Sequence, residues 1–140
     1  MRLDSAWHWI VTAASTIALT IAAFLGGWTP AMSALVTVIM LDILSGLARA
    51  FVQRQLSSSV SWNGMVKKCL ILVIVALAWR LDIVIGAGSL LRDATVIFFV
   101  VSEALSVLEN TVAAGLPVPQ FLRDALKQLN EKKATPGGSG

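Results

Sequence analysis

Asp42 and Glu103 are carboxylates set near the middle of stretches otherwise apolar enough to cross a bilayer, LVTVIMLDILSGLARAF and ATVIFFVVSEALSVL. An ionised acid at mid-bilayer costs about 3 kcal/mol on insertion scales, and each Leu or Ile offsets only about 0.5 kcal/mol. Helical spacing gives each acid polar company. Asp42, Ser45, Gly46 and Arg49 share one face, and so do Glu103, Ser106 and Asn110, with Glu109 adjacent. Asp42 and Arg49 stand two turns apart, about 10 Å along the axis, within reach of each other or of a partner on another helix. Two carboxylates at one depth share a proton or reach for cations. They either hold helices together through buried polar contacts or line a wet interior.

Other chemistry is poorly supported. The single cysteine, Cys69, lies within an apolar block and reads as a buried thiol, so no disulfide or cysteine metal site forms within one chain. The single histidine, His8, sits between Trp7 and Trp9 with no second ligand nearby. HExxH, a glycine-rich phosphate loop and a Ser or Cys with a histidine base are all missing. The expectation is a protein without enzymatic activity, metal or cofactor.

Apolar blocks of nearly twenty residues position these acids, the length that crosses a hydrocarbon core of about 30 Å. The 140 residues are 56% hydrophobic and only 14% charged, against about a quarter charged in soluble domains. The expected fold is all-α, an integral membrane protein with four transmembrane helices and a short C-terminal amphipathic helix. Spans are expected at about 7–25, 31–51, 65–85 and 90–108 in a domain covering 1–115. Gly26-Gly27 stops the first block, and Thr29-Pro30 reads as a helix start, a capping hydroxyl followed by proline in the first turn. QRQLSSSVSWNG reads as a polar loop, GAGS as a break, and Gly115, Pro117 and Pro119 as a turn. The first block is too long for a signal-peptide core and lacks a clear cleavage site before Gly26.

Net charge is +3, and the basic residues cluster beside the apolar blocks. That placement reads as topology signal and lipid-headgroup contact, not as a nucleic-acid surface. Arg49, Arg54, Lys67 and Lys68 gather around the loop between spans two and three. Arg123, Lys127, Lys132 and Lys133 follow span four, and the turn between spans one and two carries no charge. Arg80 and Arg92, in the turn between spans three and four, each have an aspartate close by, Asp82 and Asp93. Both termini are therefore expected in the cytoplasm, with Asp42 and Glu103 about 10 Å in from that edge. Arg54, Lys67 and Lys68 are read as basic residues at the cytoplasmic edge.

Ala14, Ala18, Ala22 and Gly26 recur every four residues in span one, a flat stripe along which two helices can approach closely. Residues 116–133 are expected to form a cytoplasmic amphipathic helix, with Phe121, Leu122, Ala125, Leu126 and Leu129 on one side and Arg123, Asp124 and Lys127 largely on the other. Residues 134–140 have linker composition.

LDILSGLARAF, LSSSVSWNGMVKK and SEALSVLENTVAAGLPVPQFLRDALKQL, in that order, resemble the toxin-secretion/phage-lysis holin family. The matching elements are acidic-x-x-x-Gly (Asp42, Gly46), a serine-rich loop ending in Gly and Lys (Ser58, Gly64, Lys67, Lys68), Glu-x-x-Ser-x-x-Glu-Asn (Glu103, Ser106, Glu109, Asn110) and a Gly-x-Pro-x-Pro corner (Gly115, Pro117, Pro119). The resemblance covers about residues 41–129. It implies a self-associating protein of the bacterial inner (cytoplasmic) membrane that forms lesions, releasing an endolysin or a toxin. Its partners would be further copies of itself, the lipid bilayer and that cargo. The alternative is a non-lytic oligomeric export channel for one protein cargo.

Overall fold

The computed structural model describes residues 3–55 and 58–134. Those residues form five helices and no strand: α1 (Leu3–Phe24), α2 (Pro30–Val52), α3 (Ser58–Ile85), α4 (Leu90–Ala113) and α5 (Gln120–Ala134). The expected tail from 135 on, with Leu56 and Ser57 of the loop, lies outside the described residues, as do the side chains of Lys132 and Lys133.

Three helices, α1, α2 and α4, are long and apolar enough to cross a membrane. At about 1.5 Å per residue, the 23 residues of α2 and the 24 of α4 each reach about 35 Å. The 28 residues of α3 are long enough, but the apolar run from Cys69 to Trp79 is closed by Lys67-Lys68 at one end and by Arg80 and Asp82 at the other. Helix α3 also starts earlier than its apolar block. Ser58 to Gly64, expected as loop, is already helical. No proline interrupts it, and one interior glycine costs only about 1 kcal/mol of helix propensity.

Helices α2, α3 and α4 form the bundle, each contributing one seam at alternating three- and four-residue spacing. Met32, Leu35, Ile39 and Asp42 are buried along α2; Ile71, Val75, Ala78 and Asp82 along α3; Arg92, Val96 and Glu103 along α4. Such spacing keeps one face toward neighbouring helices over several turns. The seams are apolar through the middle, where Leu25, Met32, Leu35, Ile39, Ile71, Val75, Ala76 and Val96 make a single core, and charged toward both ends. Helix α4 is central, packing on α2, α3 and α5. Contacts run from Thr29–Arg92 to Gln53–Ala113 between α2 and α4, so those two are parallel. Lys68 meets Glu103 and Asp82 meets Arg92, so α3 is antiparallel to both.

Thr29 caps α2 as its sequence implies, its hydroxyl accepting from the Met32 amide at 3.2 Å. Helix α1 ends in paired reverse bonds, Gly27 N to Ala22 O at 2.8 Å and Gly26 N to Ala23 O at 3.2 Å, with Gly26 at φ +86° as this stop requires. The same arrangement ends α2, where Gln55 N reaches Ala50 O at 2.9 Å and Arg54 N reaches Phe51 O at 3.2 Å. There a non-glycine residue, Arg54, holds the left-handed position at φ +52°.

Helix α1 stands apart from the bundle. Every described side chain from Ala6 to Ile21 is exposed, and the junction is made by Leu25, which joins the core, and by Gly26 against Trp79. Large apolar side chains also cover the outside of the bundle, among them Leu44, Phe51, Val73, Leu77, Val84 and Ile97. A surface this apolar belongs in lipid or against other protein.

Candidate functional site

The two acids meet across the bundle, and the cation between them is Lys68. Its Nζ lies 2.7 Å from Asp42 Oδ2 and also bonds Glu103 Oε2. The three side chains are only 13%, 12% and 8% exposed. Lys68 extends the buried seam of α3, three residues before Ile71, whereas Lys67 points outward and is exposed. The helical turn of about 100° between neighbours separates two lysines that the sequence reading grouped together at the membrane edge.

The cluster continues toward the C-terminal ends of α2 and α4. Asn110 Nδ2 donates to Asp42 Oδ1 at 3.0 Å and to Ser45 Oγ at 3.2 Å. Its Oδ1 accepts from Arg49 Nη1 at 3.4 Å. Arg49 Nε donates to Gln53 Oε1 at 3.4 Å, and Gln53 Nε2 donates to the Ala113 carbonyl at 3.2 Å. Two carboxylates, one ammonium and one guanidinium sum to zero, and the Asn110 amide relays the Arg49 charge to Asp42. Asp42, Glu103 and Lys68 are the enclosed members of the cluster and Arg49 is exposed at its edge; pairing offsets the large desolvation cost that each enclosed charge would carry alone. Arg49 therefore reaches Asp42 through Asn110, not by the direct pairing that their spacing allows. Gly46 faces α4, with the Asn110 amide 3.6 Å from where a Cβ would sit, an ordinary contact that leaves room for a methyl group.

Other site candidates lie outside this cluster. Ser106 is half-buried on the same α4 seam; Glu109 is exposed on the flank of α4 beside it, where it lines a groove with Arg123 and Lys127. Arg54 is exposed at the α2 stop. Ala14 and Ala18 are exposed on α1 and Ala22 half-exposed, while Gly26 belongs to the turn, its Cα side against the Trp79 ring. Cys69, expected as a buried thiol, is exposed on α3, because the neighbouring Lys68 takes the inward position. Among the described residues, no three His, Cys, Asp or Glu side chains come close enough to hold a metal ion.

A second polar assembly closes the opposite end of the bundle. Asp82 and Arg92, 1% and 3% exposed, look in the sequence like turn charges beside their neighbours Arg80 and Asp93. Instead, the Asp82 carboxylate caps α4, accepting from the Leu91 amide at 3.0 Å and the Arg92 amide at 2.8 Å. Arg92 Nη2 donates to the Gly27 carbonyl at 2.9 Å and to Thr29 Oγ1 at 3.3 Å, and its guanidinium lies over the Trp79 ring at 5.7 Å. The clamp ties the turn between α1 and α2 to the start of α4. The available signal was position: Lys68 and Asp82 fall on the seam of Ile71, Val75 and Ala78, and Arg92 falls four residues before Val96.

A bundle with an apolar exterior, a polar cluster near one end and a buried clamp at the other defines a small helical membrane protein. The chain belongs to the bacteriophage holin family, whose model matches residues 19–131. It is 30% identical over 104 residues to a probable holin of Bacillus phage phi105, covering 74% of this chain and 77% of that protein. Uncharacterized proteins are also similar: one from Clostridium perfringens is 39% identical over 108 residues, covering 76% and 80% of the two chains, and one from Listeria monocytogenes is 36% identical over 98 residues, covering 70% of each. No solved structure matches.

Proposed function

We propose that this protein is a holin of the bacterial cytoplasmic membrane, assembling with copies of itself into lesions that release an endolysin, or a toxin, and so trigger lysis. Family membership supports the general reading, and the shared Asp42–Lys68–Glu103 cluster is the observation that carries the mechanism. In one chain its charges are matched by neighbours, so the protein rests in lipid as a sealed bundle. Assembly of many copies offers these groups new partners or a wet lumen, at lower cost than exposing them to hydrocarbon. The membrane potential acts on any such charge with about 2.3 kcal/mol per unit charge per 100 mV, which makes depolarisation a fitting trigger.

In this reading α3 crosses the membrane with α1, α2 and α4, giving four spans and cytoplasmic termini. The charges that interrupt α3 support this: Lys68 is bound by two carboxylates and Asp82 by two backbone amides. Arg80 lies over the Phe24 ring at 5.4 Å. Arg49, Arg54 and Lys67 gather at the bundle end from which α5 follows, the arrangement expected of a cytoplasmic face.

The test is to express Asp42→Asn and Glu103→Gln with an endolysin and time lysis, with oligomer size measured in mild detergent. Shifted lysis and altered oligomers are expected. Unchanged timing and unchanged oligomers in both variants overturn the mechanism. Cargo release without loss of viability in the wild type favours the non-lytic export channel instead.

A further inference from the structure

Helix α5 packs on α4, with Arg123 half-buried and Lys127 exposed at the rim of the space between the two helices. Arg123 and Lys127, with Leu105, Leu108, Glu109 and Val112, line a groove of about 290 Å³. Phe121 and Leu122 of the same helix are 74% and 40% exposed, so these two apolar side chains face away from the bundle, where lipid would meet them. A surface helix in water would turn such side chains inward. The groove has an apolar wall from α4, two cations and one carboxylate, a net charge of +1. It opens at the end of α4, a helix long enough to cross the membrane, where a phospholipid changes from acyl chain to phosphate.

We propose that this groove binds one anionic phospholipid of the phosphoglycerol class. Its phosphodiester sits between Arg123 and Lys127, its glycerol hydroxyls donate to Glu109, and the upper part of one acyl chain lies along Leu105, Leu108 and Val112. A phosphodiester carries the single negative charge that the groove lacks, and hydroxyl donors suit a carboxylate where a second anion would not. The bound lipid would pin α5 to α4 and hold the basic C-terminal segment at the membrane surface. The proposal rests on the membrane reading above but needs neither lesions nor lysis.

The full chain is reconstituted in phosphatidylcholine vesicles containing phosphatidylglycerol or phosphatidylethanolamine, tested for insertion by alkaline extraction, and examined by native mass spectrometry for lipid retained after mild detergent extraction. Wild type should retain phosphatidylglycerol in preference to both other lipids. Arg123→Gln with Lys127→Gln should weaken that retention about thirtyfold, the effect of two basic residues beside an anionic lipid. Leu108→Trp, which fills the apolar wall, should weaken it with both cations in place. Equal retention by wild type and the double glutamine variant overturns the site, as does equal or greater retention of phosphatidylethanolamine. Release of the wild type by alkali overturns the membrane reading itself, a result separable from the other two.

Discussion

Replacing Lys68 by methionine keeps all but the terminal atom's length of the unbranched side chain and removes its charge, leaving Asp42 and Glu103 without the cation between them. At the 2.7 Å separation of Lys68 Nζ from Asp42, an effective dielectric of about 20 puts the pair attraction near 6 kcal/mol before desolvation. The exposures of 13%, 12% and 8% leave little solvent to take over when the cation is gone. Removing one partner of such a buried group costs about 3–5 kcal/mol, because the remaining charges are left uncompensated. Asn110 continues to satisfy Asp42 Oδ1, so the lower half of that range is expected. The assay is reversible unfolding in mixed micelles followed by circular dichroism. Lys68→Met should lose about 3 kcal/mol, and the triple variant Asp42→Asn, Lys68→Met, Glu103→Gln should recover most of it, since a neutral set needs no counter-charge. Lys67→Met, at the exposed neighbour, should change stability by less than about 0.5 kcal/mol. Equal stability of Lys68→Met and wild type, or no recovery in the triple variant, refutes the account of the cluster.

Gly26→Ala places a Cβ 2.7 Å from the Trp79 ring at a backbone φ of +86°, and should cost about 2–4 kcal/mol in the same unfolding assay. Arg54→Gly should do the opposite, relieving the left-handed strain at φ +52° and stabilising the chain by about 0.5–1 kcal/mol in that assay.

The amino-acid sequence by itself determined the helical class, the apolar lengths of α1, α2 and α4, the Thr29-Pro30 start of α2 and the glycine stop of α1. These depend on residues within one or two turns of each other, through backbone hydrogen bonds, caps and permitted dihedral angles. It also placed Asp42 with Arg49, and Glu103 with Asn110, on single helix faces. Only the tertiary structure decided which faces meet. Lys67 and Lys68 have the same chemistry, and the difference between an exposed cation and the centre of the cluster is one step around α3. Asp82 and Arg92 have opposite charges close by in sequence, yet Arg92 stands 4.0 Å from Asp93, and the shorter contacts of the two are to amides, a carbonyl and a hydroxyl that the α1–α2 and α3–α4 turns bring together. The direction of α5 was hidden for a related reason: an amphipathic pattern shows that two sides differ, while the neighbouring phase selects the side that turns inward. Local free energies select the helices; the pairing of their polar residues is settled by packing between segments far apart in the chain, where a buried charge is tolerated only if a partner arrives with it.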